Sequence, residues 1–420
     1  MTDNRFLDVI PAIGATLSRP TRRAVVAGAC GAAALAAASG VAPLGRGQVL
    51  AGESARADQV VIYHTNDVHG HLQGDGSSAV GIDYVAALHA STPNSLLVDA
   101  GDVTQGMPVV SLSKGASAIE LMNAAGYDAM CLGNHEFDFG QEVLLTNAEA
   151  AEFPMLSANV VRKDSGDALL VGVGACGDGA TAVLECGGRH IGVFGITTAS
   201  TSHSTSPANV EGLQFEDEVE TARCCIADLA AQGVDAIVAL CHLGDGPVSC
   251  RAVDLAAELE PEEAAKLCAI VDGHSHTVEN IEVNGVLVAQ TGCNLANVGK
   301  LTLAFDADGS VSAIEELLDP ETVAQATDPA PEVTEVLAEV SAEQDALMAQ
   351  TLFDTPTTLW AGWLSESAIS APTRAVETNL GDVVCDAFRA AAGAYLEGEG
   401  LESMPVVAVE NGGGIREAFA

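Results

Sequence analysis

Seven short apolar runs, most of them ending in a polar cluster, constrain this chain more than any other feature. They are VVIYHT (60–65), SLLVDA (95–100), AMCLG (129–133), HIGVFGIT (190–197), DAIVALC (235–241), CAIVDG (268–273) and VLVAQT (286–291). Such continuous runs read as strands buried on both faces, the mark of a largely parallel sheet. Between them, 82–90, 116–125 and 219–233 space their apolar residues as helices do. The pattern predicts an α/β fold. In such sheets the ligand crevice lies beyond the carboxyl ends of the strands. Polar clusters stand at those ends: NDVHGH after the first run, AGD after the second, NHEFD after the third, CHLGD after the fifth and GHSH after the sixth.

A length of 420 residues predicts two domains and a processed leader. The leader is read as residues 1–57. Arg22 and Arg23 precede an alanine-rich apolar run, and Ala55 and Ala57 give A-x-A spacing before Asp58. The arginine pair is similar to a twin-arginine export signal, which places the mature protein outside the cytoplasm, in the periplasm or at the cell surface. No other stretch is long and apolar enough to predict a transmembrane segment in the mature chain. Residues 321–352 turn rich in Pro, Ala and Glu and then helical, and are read as a connector between a first domain over 58–320 and part of a second over 353–420. In that second part, NLGDVVCDAFRAAAG predicts a helix and MPVVAVE a strand running into NGGGIREAFA. Eleven cysteines show no CxxC repeat, so Cys131, Cys241 and Cys268, inside apolar runs, read as small buried hydrophobes.

Charge decides against one class of partner. With 17 basic and 58 acidic residues the formal charge is −41, which repels nucleic acid polymers. The same field repels a small nucleotide, so a phosphate ester site requires a local positive centre such as bound metal.

Taken one at a time the clusters are ordinary. Asp67-x-His69 could be a turn, His242 a hydrogen-bonded structural histidine, Asp99 and Asp102 loop carboxylates, and Asn134 a helix cap. Together they deliver D-x-H, G-D, G-N-H-E, H and G-H-x-H to one edge of a sheet. Clustered His and Asp in that pattern point to a metal site.

The motifs HTNDVHGHL, DAGDVTQG, LGNHEFDFG and GHSH resemble those of the calcineurin-like metallophosphoesterases, in particular their exported 5'-nucleotidase branch, across 58–320. ETNLGDVVCDAF and ENGGGIR resemble the start of that branch's substrate-binding domain. The resemblance implies a four-layer αββα sandwich followed by the start of a 5'-nucleotidase C-terminal α/β domain. It implies two divalent ions, one held by Asp67, His69 and His276, the other by Asn134, His242 and His274, with Asp102 touching both. Asp, Asn and His without Cys suit Zn, Mn, Fe or Co. His135 is carried over as the catalytic histidine and Asp138 as the carboxylate that orients it, with Glu136 left a structural role. The nucleophile would be metal-activated water attacking phosphorus in line with the leaving oxygen. Arg374, Asn411, Gly413 and Arg416 are implied to contact the nucleotide.

The expected activity is removal of phosphate from nucleotides. A 2',3'-cyclic nucleotide phosphodiesterase or a UDP-sugar hydrolase would use the same centre, and a sulfur-ester hydrolase shares the scaffold. A different class, a metal-stabilised surface or nucleotide-binding protein without catalysis, has no need of His135 and Asp138. The branch grips its base between two phenylalanines further along the second domain than Ala420, so the sequence reads as a piece of a longer protein, the alternative being a truncated form without the base clamp.

Overall fold

Alternation along the buried strands sets the layers. In β1 (Gln59–Thr65), Val60 and Ile62 face one way while Val61 and Tyr63 face the other. Residues of the first kind meet Ala236, Val238 and Leu240 of β9 (Ala236–His242) and Ala269 and Val271 of β10 (Leu267–Val271) in a core between two sheets. Those of the second kind lie under helices. The structure is a computed structural model. It describes residues 56–244 and 250–351, and beyond them 354, 355, 357, 359, 378–398, 400, 401 and 405–409.

The first sheet is six-stranded, in the order β14-β13-β1-β2-β3-β4, adding β2 (Ser95–Asp99), β3 (Ala129–Cys131), β4 (Met155–Leu156), β13 (Val298–Phe305) and β14 (Val311–Leu318). The second, also six-stranded, runs β11-β12-β10-β9-β7-β6, with β6 (Thr181–Cys186), β7 (Arg189–Thr197), β11 (Val278–Val283) and β12 (Val286–Thr291). Strands β1 to β4 are parallel, as are β7, β9, β10 and β12. Antiparallel strands flank them. A small pair, β5 (Val160–Arg162) with β8 (Leu213–Phe215), stands apart.

Helices α1 (Ile82–Ser91), α2 (Ala116–Ala125) and α3 (Gln141–Ala150) bury Val85, Ile119, Leu121, Met122 and Leu144 on the outer face of the first sheet. On the second sheet, α4 (Glu218–Gln232) and α5 (Ala252–Glu258) bury Val219, Ile226, Leu229 and Leu255. Each such side chain contributes about 1.5–3 kcal/mol by leaving water. Helix α4 starts where Asp217 accepts from the Glu220 N–H and stops at Gly233, whose φ of 77° a side chain would strain. The result is the expected four-layer αββα sandwich.

The segment expected as a connector is different in character. It forms α6 (Pro320–Ala326) and α7 (Pro331–Met348), and Val323, Val333 and Leu337 are buried in the same core as α1 and α2. The first compact unit therefore runs to Leu347 and the second begins at Met348. In the second unit the expected helix is present as α8 (Asn379–Gly398). The expected strand is not formed over the described residues 405–409. Arg374, Asn411, Gly413 and Arg416 lie outside the described residues, as does the leader up to Ala55.

One packing detail between the sheets gives a test. His64 continues the inward alternation of Val60 and Ile62, is fully buried, and places Nε2 3.1 Å from Glu315 Oε1. Its cross-strand partner is Gly299, where a Cβ would sit 2.0 Å from His64 Nε2. Gly299→Ala should therefore destabilise the protein by about 1–3 kcal/mol through overpacking, measured by urea unfolding.

Candidate metal centre

The strand ends meet. His242, closing β9, directs Nδ1 at the Ala100 carbonyl just beyond β2, 2.7 Å away. The His274 N–H, beyond β10, lies 2.9 Å from Asp67 Oδ2, beyond β1. Sharp turns make this possible. Asp67, His69, Asp102, His274 and His276 have φ of 49°, 48°, 63°, 82° and 58°. Left-handed backbone at residues with a side chain costs on the order of 1–3 kcal/mol each and gathers at functional sites. The motif glycines answer to close approach. A Cβ on Gly133 would lie 2.2 Å from Asp102 Oδ1, and one on Gly273 would lie 2.8 Å from His242 Nδ1.

Asp67, His69 and His276 form one group of converging ligand atoms, and Asp102, His242 and His274 another, each within 4.8 Å. In the first, Asp67 Oδ1 is 3.3 Å from His276 Nε2, and His69 Nε2 is 3.1 Å from His276 Nε2. In the second, His242 Nε2 is 3.0 Å from Asp102 Oδ2, which is also 3.9 Å from His69 Nε2. Of the residues expected from sequence, Asp67, His69 and His276 converge, His242 and His274 converge with Asp102, and a third group joins His69 and Asp102 to His135.

The donor chemistry fits divalent cations. His69 and His242 point Nδ1 at the carbonyls of Gln105 and Ala100. A carbonyl only accepts, so Nδ1 carries a proton and Nε2 is the nitrogen that would give up its own proton to ligate a cation. His242 Nε2 is buried and makes no hydrogen bond within the protein, its nearest acceptor being Asp102 Oδ2 at 3.0 Å. Asn134 Oδ1 is likewise buried and unpartnered, and the side chain makes no cap bond. Asn134 precedes His135, whose N–H donates to Asp102 Oδ1, and an orphaned amide oxygen together with an orphaned imidazole nitrogen is what an oxygen- and nitrogen-ligated ion would satisfy.

Charge points the same way. Among the described residues the ion pairs of Asp67 and Asp102 are all with imidazoles. Burial works to lower the pKa of His242, but the Asp102 carboxylate reverses this and pushes it to about 10. A hydrogen bond to Asp67 raises His276 to about 10. Burial and the facing His242 lower His274 to about 4, and burial lowers His69, so positive charge in the pocket is concentrated on His242 and His276.

His135 and Asp138 stand at the rim. His135 Nδ1 lies 2.6 Å from Asp138 Oδ2, its backbone N–H donates to Asp102 Oδ1 at 2.9 Å, and its ring is 5.2 Å from that of His69. Burial disfavours the imidazolium, yet Asp102 and Asp138 hold its pKa above the ordinary value. Thr205 Oγ1 donates to Asp138 Oδ1 at 2.9 Å and Asn209 Nδ2 to the Asp138 carbonyl at 2.8 Å. Sequence reading missed Thr205 and Asn209, which lie in a Ser/Thr-rich stretch with no periodic signal. Asp99 is buried outside the site, accepting from Thr65 Oγ1 and Gly101 N–H.

Residues 60–278, just over half of the chain, match the family described as calcineurin-like phosphoesterase. The chain belongs to this family. Phosphoesterase membership agrees with a centre built from Asp, Asn and His. Among proteins similar to this phosphoesterase, the trifunctional nucleotide phosphoesterase protein YfkN of Bacillus subtilis is 29% identical over 393 residues, covering 85% of this chain and 25% of that one. A 5'-nucleotidase of Vibrio cholerae is 34% identical over 235 residues, covering 53% of this chain and 41% of that one. The chain thus spans between a quarter and about two-fifths of the length of these relatives. The crystal structure of a 5'-nucleotidase precursor from Thermus thermophilus superposes with a TM-score of 0.61 at 28% identity, covering 81% of this chain and 68% of that one. No helix among the described residues is long and apolar enough to cross a membrane.

Proposed function

We propose that this phosphoesterase is an exported two-metal hydrolase that removes phosphate from nucleotides. The observation that carries the reading is the pair of converging ligand groups, Asp67, His69 and His276 and Asp102, His242 and His274, with His69 also grouped with Asp102. Asp67, His69 and His276 would hold one ion, and Asn134, His242 and His274 the other. Two divalent ions, when bound, polarise the phosphoryl oxygens and lower the pKa of water. The chain's own residues do the rest. Asp138 fixes the His135 ring through Nδ1, which leaves Nε2 as the end that can hold a proton against the phosphoryl group or the leaving oxygen. Thr205 occupies the other Asp138 oxygen, so the carboxylate cannot turn away.

Nucleotide substrates are supported by relatives described as nucleotide phosphoesterase and 5'-nucleotidase. Arg374, Asn411, Gly413 and Arg416 would contact the nucleotide from the second domain. Export is supported by the arginine pair and apolar run of the leader. A relative that covers 85% of this chain, and is covered over a quarter of its own length, is described as a trifunctional nucleotide phosphoesterase, so a second reading has nucleotide esters other than 5'-monophosphates as substrates.

The test is hydrolysis of an aryl phosphate, AMP, UDP-glucose and 2',3'-cyclic AMP before and after chelation, with Mn2+ added back. Chelation should abolish turnover and Mn2+ restore it. His135→Ala should lower kcat about 10²–10⁴-fold with metal content unchanged. Undiminished turnover in that variant would remove the role given to His135. Two bound ions without any turnover would leave a metal-stabilised binding protein.

A further inference from the structure

Two buried side chains hold the ligand turns from behind. Asn66 is 1% exposed and fully hydrogen-bonded. Its Nδ2 donates to Asp67 Oδ2 and to the Gly292 carbonyl, both at 2.7 Å. Its Oδ1 accepts from Thr291 N–H at 2.9 Å and Thr291 Oγ1 at 2.7 Å. All four of its hydrogen-bonding positions are used. Asn66 thereby fastens the end of β1 to the end of β12. Asn66 occupies Asp67 Oδ2, the His274 N–H is shared between Oδ2 at 2.9 Å and Oδ1 at 3.1 Å, and Oδ1 is the oxygen turned toward His276 and His69.

Asp272 does the corresponding work on the other side. It is fully buried, with Oδ1 accepting from Leu243 N–H at 2.8 Å and Oδ2 from Gly244 N–H at 3.0 Å. Its own N–H donates to Ala289 O at 2.9 Å. The residues following His242 are thus tied to the strand whose extension carries His274. The contact is close, since a Cβ on Gly244 would lie 2.9 Å from Ser275 N and 3.1 Å from His274 Cβ.

We infer that Asn66 and Asp272 are positioning residues that divide the centre between them, Asn66 setting the site of Asp67, His69 and His276 and Asp272 the site of His242 and His274. The inference rests on the two-ion reading. Partners behind metal ligands set ligand direction, and losing one typically weakens metal binding about 10–100-fold. A merely structural role would weaken both sites together.

The experiment is calorimetric titration of the chelator-stripped full chain with Mn2+, with thermal melts of each metal-free protein. His276→Ala identifies which binding step belongs to the first site. Asn66→Ala should then weaken that step about 10–100-fold, and Asp272→Asn the other step by a similar factor, each leaving its counterpart within about threefold. Asn66→Ser and Asp272→Ser are read the same way should the melts show that a first variant is unfolded. Both steps weakening alike in both variants, or neither weakening, would overturn the inference. Fewer than two ions bound by the unsubstituted protein would overturn the two-ion reading as well, and would be seen before any variant is compared.

Discussion

Asp102→Asn should lower kcat/KM for an aryl phosphate on the order of 10³-fold while leaving the fold in place. Asparagine tolerates left-handed backbone, so the turn at φ of 63° survives. The amide cannot satisfy both of the carboxylate's duties. Oδ1 must go on accepting the His135 N–H at 2.9 Å, so the new NH2 takes the place of Oδ2. That is the atom 3.0 Å from His242 Nε2 and 3.9 Å from His69 Nε2, between the two ligand groups. In the two-ion reading, a nitrogen without a lone pair there could not serve both cations, and their mutual repulsion would go unrelieved. Metal analysis should find fewer than two ions per chain. The melting gain on adding Mn2+ should shrink, since stabilisation by a ligand falls with the logarithm of its affinity. A drop in kcat/KM below tenfold with both ions retained would mean that the ions are held together by something other than Asp102.

Much of this centre was legible because its residues sit where buried strands run out. The apolar runs that became β1, β2, β3, β7, β9, β10 and β12 are continuous, since helices or the opposite sheet cover both faces, and continuity is what sequence reading detects. Strands β11 and β14 were not seen. VENIEV and VSAIEELL alternate with acidic residues and leave Val278, Ile281 and Ile314 exposed, so edge strands lacking full cover resemble polar loops. The heptad-like stretch of α7 was read as a connector because its apolar spacing shows that a face is buried but not against what. The ligands and the His135/Asp138 pair came from motifs whose spacing is local. Their supports could not be found that way. Asn66 reaches Thr291 and Gly292, Asp138 is braced by Thr205 and Asn209, and Asp272 caps the turn after His242. Each is a contact between segments far apart in the chain, and each leaves only a common polar residue in the sequence.

Glu136, given a structural role from sequence although its partners were hidden there, carries the largest expected loss of stability. It is buried, and Oε2 accepts the N–H groups of Gly133 at 2.7 Å and Asp102 at 2.9 Å. Oε1 accepts from Val103 N–H, Thr104 N–H and Thr104 Oγ1 at 3.0, 3.2 and 3.1 Å. One side chain therefore satisfies the backbone of the Asp102 turn and of the turn that presents Asn134. Burial and the neighbouring Asp102 raise its pKa above the ordinary carboxylate range, so repulsion offsets part of what these bonds contribute in the metal-free protein. Glu136→Ala removes that repulsion and orphans four buried N–H groups, each at about 1–3 kcal/mol before relaxation and water entry. A net loss of about 4 kcal/mol is expected, read by denaturant unfolding in chelator. Glu136→Gln keeps one accepting oxygen but sets an NH2 against two N–H donors, and should lose about half as much. Added Mn2+ should stabilise both variants less than the unsubstituted protein, because the turns carrying Asp102 and Asn134 no longer hold one another. A loss under about 1 kcal/mol in Glu136→Ala, with the gain from Mn2+ intact, would mean that the two turns are fixed by packing and that the carboxylate only fills space.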